Sequence, residues 1–488
     1  MLGSAPLIEI ALTVGLLALA AMSTNLTLLW ASRLLLPDPR VGRDFDTSNA
    51  ETPSAELPRV LVQLPLFNEG TLVKRILEQI ADLDWPAERL QVQVLDDSTE
   101  AASLAASRSA VDCMQKRGMD VRLFHRQQRT AFKAGALAAG LQRSQAPFVA
   151  VFDADFLPPR DFLRRTLARL LADQRLAYVQ ARWGHQNAAD SLLTRAQSRL
   201  LDGHFNVEQK ARRRLGMMVP FNGTCGVWRR AAIDDAGGWH GDTLTEDLDL
   251  SLRARLRGWG SDYLDDLVVP GILPVSASAW RVQQARWSKG FVQCLVKLAP
   301  QVWRSPTLPR WQRLLTMMQL AQPLAFLIGT LCVLLGLPFI AGAETPGGLL
   351  TAAALLTSAI GLLGPIGLLL VGGARSSLDK LPRDAVAALL LSTGLLLSNA
   401  RAGAEALIGH RSAFIRTPKR REHAPRALSP WSQGLPELGA GLGLLAFTLL
   451  EQPLAVVSLT MVIGGLLTVG GLQLRESSER LATATSPL

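Results

Sequence analysis

Two pairs of carboxylates in this 488-residue sequence have the types and spacing to handle charge. Asp96-Asp97 ends the apolar run 91–95, and Asp153-Ala154-Asp155 ends the run 148–152 in the same way. Carboxylates at i and i+2 beside a diphosphate can hold Mg²⁺ or Mn²⁺, because hard cations prefer carboxylate and phosphate oxygens. Adjacent acids after a strand can hold the base or ribose of a nucleotide and help place a metal, or they can be a solvated turn with an Asx cap. Lys133 opens the helical run 132–143, where it can meet a phosphate near the positive helix end or stand exposed in solvent. Thr245-Glu246-Asp247 precedes the helical run 248–258. Acids there cap a helix, and Asp247 can also take a proton from an attacking hydroxyl. Gln283-Gln284-Ala285-Arg286-Trp287 offers a guanidinium for phosphate oxygens and a flat ring for a sugar face. Trp and Arg also anchor chains at a bilayer surface, and Trp303, Arg304 and Trp311 read as such anchors.

These groups need a scaffold that brings strand ends together. From residue 59 the sequence alternates β-rich runs (60–66, 91–95, 121–125, 148–152, 177–181) with helical runs near 70–82, 101–117, 132–143 and 161–173. That alternation predicts a mostly parallel α/β sheet covered on both faces, with its site beyond the C-terminal strand ends. Asp96-Asp97 and Asp153/Asp155 follow the second and fourth runs.

The rest of the chain is unevenly apolar. Hydrophobic residues make up 48% and mean hydropathy is +0.19, concentrated in the first 30 residues and in most of 313–473. Residues 6–30 match the ~20 apolar residues that span a bilayer. No Lys or Arg precedes them and Arg33, Arg40 and Arg43 follow, so residues 1–35 read as an N-terminal transmembrane helix with the chain beyond it cytoplasmic. Residues 36–58 read as a linker, 291–312 as an interfacial helical region, and 474–488 as a tail. Further spans fall at 313–341, 349–373, 436–451 and 453–472. Basic loops flank 384–409, so that run reads as an interfacial helix or a re-entrant pair. The net charge of +10 sits in 210–214 and 411–421, a pattern of loops facing anionic lipid rather than nucleic acid. The four cysteines and six histidines form neither CxxC nor HExxH, so no zinc site or disulfide framework is indicated.

The acidic and QxxRW motifs, in this order, resemble those of the processive, cellulose-synthase-like family 2 glycosyltransferases. The runs VQLPLFNE (62–69), QVLDDST (93–99), FKAGAL (132–137), FDADF (152–156), VQARW (179–183), FNGT (221–224), AGGW (236–239) and QQARWS (283–288) are most similar to the cellulose-synthase-like A and C groups, which make mannan, glucomannan and the xyloglucan backbone. The resemblance covers about 60–290. It implies a GT-A (Rossmann-like) catalytic domain at 59–290, set between transmembrane helices, and inverting chemistry.

By the same resemblance Pro65, Asn68, Glu69, Asp96, Asp97, Lys133 and Arg286 would contact the nucleotide sugar, and Asp153 with Asp155 would hold Mg²⁺ or Mn²⁺. Asp247 would be the base, in company with Thr245 and Glu246. Phe221, Asn222, Gly223, Thr224, Gln283 and Trp287 would meet the acceptor. The family's gating loop, FxVTxK, is echoed within 410–430 by Phe414, Thr417 and Lys419, with Arg416 in place of the Val. Relative to bacterial cellulose synthases, fewer spans precede the catalytic domain and no PilZ-like domain follows, so control by a cyclic dinucleotide is not expected. The implied reaction is hexose transfer from UDP-glucose or GDP-mannose, with a lean to UDP-glucose, onto a β-linked chain that the membrane helices translocate. The rival is a single transfer to diacylglycerol or ceramide. A third reading, a scaffold with a dead transferase domain, conflicts with the intact acidic set. Small-residue spans allow close helix contacts without fixing an oligomeric state.

Overall fold

The computed structural model describes residues 4–37, 57–342, 344–373, 380–410, 412, 434–451 and 455–485. Its centre is a seven-stranded sheet made of β1 (Val60–Leu66), β2 (Leu90–Asp96), β3 (Val121–His125), β4 (Phe148–Val151), β5 (Leu176–His185), β6 (Gly226–Arg229) and β7 (Gly260–Gly271). The strand order is β3-β2-β1-β4-β6-β5-β7. β1 pairs in parallel with β2 and β4, and β5 with β7, while β6 runs antiparallel between β4 and β5. The sheet is therefore mixed.

Five strands match the sequence reading closely. The last two were not foreseen. β6 has only four residues. β7 carries Asp262, Asp265 and Asp266, which hide a strand pattern; they meet Arg213 at 2.5 Å, Lys210 at 2.5 Å and Arg165.

The helices are α1 (Ser4–Leu35), α2 (Gly70–Ala81), α3 (Ala101–Lys116), α4 (Phe132–Leu141), α5 (Phe162–Ala172), α6 (Leu192–Asp202), α7 (Lys210–Arg214), α8 (Arg230–Asp235), α9 (Glu246–Leu256) and α10 (Ala277–Arg304). A π-helical segment, Gly203–Gln209, joins α6 to α7. Then come α11 (Arg310–Ala321), α12 (Leu324–Ile340), α13 (Gly348–Ile360), α14 (Leu363–Gly372), α15 (Leu381–Thr393), α16 (Leu396–Leu407), α17 (Leu435–Glu451) and α18 (Ala455–Thr485).

Alternate residues of β1 serve opposite faces, as strand geometry requires. Val60, Val62 and Leu64 pack with α2, α3 and α5, whereas Leu61 joins α4, α8 and α9 on the other side. Two buried glutamines tie α4 to the sheet. Gln63 Nε2 donates to Gln93 Oε1 at 3.1 Å and to the Leu137 carbonyl at 3.1 Å, and Gln93 Nε2 donates to the Gly140 carbonyl at 2.9 Å. A Cβ at Gly140 would collide with both side chains, so glycine permits this approach. The lock sets the position of Lys133 at the other end of α4.

Among the described residues, two helical segments, 6–35 and 348–372, are long and apolar enough to cross a membrane. Two bent pairs, α11 with α12 at 64° and α15 with α16 at 45°, raise that number to four if each counts as one span. The run 384–409 is thus two helices broken at Gly394-Leu395. The boundary expected at 290 is no break, because α10 runs unbroken through it, and residues 474–485 continue α18 rather than trailing as a tail.

Candidate active site

The C-terminal ends of β1, β2 and β4 open onto a cavity. Pro65, Glu69, Asp97, Lys133, Asp153 and Asp155 line it from the sheet side. Gly223, Thr245, Glu246, Asp247, Gln283, Arg286 and Trp287 line it from the opposite side. Most of the expected site residues thus meet in one place.

At one end, Asp97 receives Arg126 in a two-pronged contact, Nε to Oδ1 at 2.7 Å and Nη2 to Oδ2 at 2.5 Å. Such a fork fixes both partners in orientation. The Arg129 guanidinium lies 3.5 Å above the centre of the Phe67 ring, a cation–π contact that gives this end a flat positive surface. Asp96 is fully buried, does not line the cavity, and accepts the Ser98 amide at 2.7 Å. Asn68 also sits behind the wall. In a left-handed conformation (φ 54°), its Oδ1 accepts the Thr99 and Glu100 amides at 3.0 and 3.2 Å, clasping the turn before α3. Of the acids Asp96 and Asp97, one shapes the turn and the other faces the cavity.

In the middle, Lys133 Nζ donates to Asp153 Oδ1 at 2.6 Å and to the Gly223 carbonyl at 2.9 Å. Burial alone would lower the Lys133 pKa, but Asp153 and Glu246 outweigh it and the net direction is upward, so the ammonium is secure. Thr224 is buried; its hydroxyl accepts the Asp153 amide at 2.9 Å and thereby holds the Asp153–Asp155 turn. Gly223 has φ 77°, and a Cβ there would stand 2.9 Å from Asp247 Oδ2 and 3.4 Å from Lys133 Nζ. Only glycine lets the loop pass between these charges.

Asp247 occupies the first turn of α9, with its Oδ1 accepting the Leu248 amide at 2.8 Å. Burial, then the adjacent Glu246 carboxylate, push its pKa up to about 7, against the opposing pull of Lys133 and Arg286. The acids here start the helix and also face the cavity. α10 crosses the start of α9 at Gly290, where a Cβ would collide with Thr245. That contact sets Gln283, Arg286 and Trp287 one to two turns back along α10, opposite Asp247. Burial draws the Arg286 pKa down, while Glu246, Asp247 and Asp153 support its charge.

Two carboxylates on the cavity wall, one buried (Asp155) and one about a third exposed (Asp153), are a donor set that fits a hard divalent cation. The described residues contain one other carboxylate cluster with metal-like spacing, His240 with Asp242 and Asp249. There Lys297 Nζ lies 2.8 Å from both acids and Arg253 2.7 Å from Asp249, so protein cations already balance the charge.

A second cavity joins the first and shares Trp183, Leu201, Asn222, Thr245, Asp247 and Trp287 with it. Phe221, His204, Phe205 and Trp280 extend its lining. Asn222 Oδ1 accepts from Gln209 Nε2 at 2.6 Å, and His204 Nε2 lies 3.1 Å from Asn222 Nδ2. Both supporting residues come from the π-helical segment, whose widened turn presents side chains that a regular helix would rotate away. Arg126, Arg129, Trp183, His204 and Gln209 had no assigned role in the sequence reading. Trp183 closes the VQARW run and was the one with a visible signal. Phe414, Thr417 and Lys419 lie outside the described residues.

Residues 148–369 match the family model described as glycosyl transferase family group 2. The chain carries a family 2 glycosyltransferase domain. Glucomannan 4-beta-mannosyltransferase 7 of Arabidopsis thaliana is 41% identical over 268 residues, covering 54% of this chain and 48% of the relative. Probable glucomannan 4-beta-mannosyltransferase 6 of Oryza sativa subsp. japonica is 42% identical over 286 residues, 58% of this chain and 49% of the relative. The chain spans about half the length of the curated relatives it matches. Among solved structures, the mannosyltransferase PcManGT from Pyrobaculum calidifontis in complex with GDP-Man and Mn2+ is similar, with a TM-score of 0.52 at 20% identity, covering 81% of this chain and 99% of that one. This likeness establishes the GT-A-like architecture of the glycosyltransferase domain.

Proposed function

We propose that this chain transfers mannose, with inversion, from GDP-mannose to the end of a growing β-linked glycan at a membrane surface. The observation that carries the reading is the place of Asp247 at the junction of a charge-lined cavity and an aromatic-lined one. The charged cavity suits a nucleotide diphosphate and the aromatic one a row of sugar rings. The choice of mannose, away from the expected UDP-glucose, follows the names of the relatives.

The geometry supports a division of labour. Asp97, fixed by Arg126, and Arg129 on Phe67 receive the nucleoside end. Lys133 and Arg286 bind phosphate oxygens. Asp153 and Asp155 would hold a divalent cation, which when bound offsets the negative charge of the departing diphosphate. Trp183 and Trp287 orient the terminal sugar, and Asp247 takes the proton from its hydroxyl as that oxygen attacks the anomeric carbon from the face opposite the diphosphate. The catalytic domain then faces the cytoplasm, and the helices from α11 onward receive the product for translocation.

The test uses purified chain in detergent with Mn²⁺ and, separately, GDP-mannose or UDP-glucose, with Asp247→Asn as control. Long product sensitive to a mannanase, formed from GDP-mannose alone, supports the reading. Diphosphate release only when diacylglycerol or ceramide is supplied, with one or two sugars transferred, replaces it with the glycolipid alternative.

A further inference from the structure

Between α10 and α16 lies a third cavity. Arg281, Arg286 and Lys289 line it from α10, and Arg401 and Glu405 from α16. Four cations face one lining carboxylate, and that carboxylate is engaged: Lys289 Nζ is 2.7 Å from one Glu405 oxygen and Arg401 Nε 2.8 Å from the other. Arg281 differs. Its Nε is buried and has no hydrogen-bond partner among the described residues. Glu437 of α17 acts on Arg281 electrostatically without a hydrogen bond to it. Ser412 stands on the cavity rim.

A half-buried guanidinium whose Nε lacks a hydrogen-bond partner, in a cavity whose lining cations outnumber its carboxylates, favours an added anion. The location says which anion is at hand. α16 is half of one apolar bent pair, and α10 leads directly into the other, so the cavity sits where the catalytic domain meets the apolar helices. Phosphodiester headgroups are concentrated at such a junction, and clustered Lys and Arg there attract them.

We propose that this cavity binds the phosphate of an anionic phospholipid, held chiefly by Arg281 and Arg401 with Lys289 beside them. The bidentate reach of arginine suits a phosphodiester, and the opening between two helices leaves room for the glycerol to lead outward. The proposal rests on the charge and burial of this cavity and does not depend on the reaction assigned to the neighbouring cleft.

Native mass spectrometry of the full-length chain in mild detergent tests it, because retained lipid is counted without donor or turnover. Phosphatidylglycerol is expected to be retained roughly tenfold better than phosphatidylcholine, the factor that one charge-assisted contact supplies. The Arg281→Gln/Arg401→Gln pair should abolish that preference and Arg281→Lys should keep most of it; if the pair does not fold, Arg281→Gln alone should weaken the preference. Inorganic phosphate at equal concentration should leave the lipid in place. Equal retention of the two lipids, or an undiminished preference in the Gln variants, overturns the proposal. Displacement of phosphatidylglycerol by inorganic phosphate overturns the lipid as the source.

Discussion

The two walls of the cleft achieve order by different means. On the sheet side, charges stand on strand ends and each is held by an opposite charge: Asp97 by Arg126, Asp153 by Lys133. On the helical side, position comes from close approach. Gly223 slips between Asp247 and Lys133, Gly290 seats α10 on Thr245, and aromatic rings fill the space beyond. The first wall is electrostatic and is ready for a polyanion. The second is steric and is ready for flat, weakly polar rings. Errors should therefore damage them differently: charge changes should act through donor binding, and volume changes through geometry and the acceptor.

The sharpest test is at Asp247, the carboxylate that lines both cavities. Asp247→Asn should lower kcat roughly 10²- to 10⁴-fold, the range that general bases supply, while donor affinity measured by calorimetry stays within a few-fold. The pH profile sharpens the same point. Because the Asp247 pKa is raised from 3.8 to about 7, its basic form is lost as pH falls through 7, and kcat/KM should drop roughly tenfold per unit below that point. The sign for stability is opposite: the folded state holds this proton more firmly than the unfolded chain. Its stabilising contribution is full below the ordinary carboxylate pKa and lost as pH rises through 7, so Asp247→Asn should melt higher than wild type at pH 8.

Next in size is Gly223→Ala. The new Cβ would press on Asp247 at a backbone angle that favours glycine, so kcat should fall by roughly 10²-fold, as small misplacements of reacting groups do. Arg126→Lys probes the other wall: loss of the fork should raise the donor KM roughly tenfold and leave kcat nearly unchanged. Smallest is Trp183→Phe, which keeps a ring and should shift product length and acceptor KM only a few-fold, about 0.5–1 kcal/mol. A donor KM effect larger than the acceptor effect in this last variant would break the assignment of the two walls.

The division also decides what could be read in the sequence. Strands β1 to β5 were visible as short apolar runs, and the acids that directly follow the second and fourth of them line the cleft or shape its rim. The partner of Asp97 was not visible. Arg126 lies 29 residues away and meets it only because β2 and β3 are neighbours. Asp96 and Asn68 have the right types for ligand contact but serve the turn, a choice made by burial and backbone angle rather than by residue type. The supports of Asn222 were hidden as well, because His204 and Gln209 converge only when the helix widens. Gly394 broke a run that looked continuous because a glycine within an apolar helical pattern does not itself announce a bend of 45°.

The unbroken course of α10 has a mechanical meaning. Its 28 residues extend ~42 Å at 1.5 Å per residue, from the cleft to the beginning of the apolar helices. A rod of this kind transmits rotational phase as well as length. One residue inserted after Gly290 would turn the remainder of α10 by about 100° relative to Arg286 and Trp287 without disturbing the face that lines the cleft. The cleft and the far end of α10 are therefore indexed to each other by a single register, like two gears on one shaft.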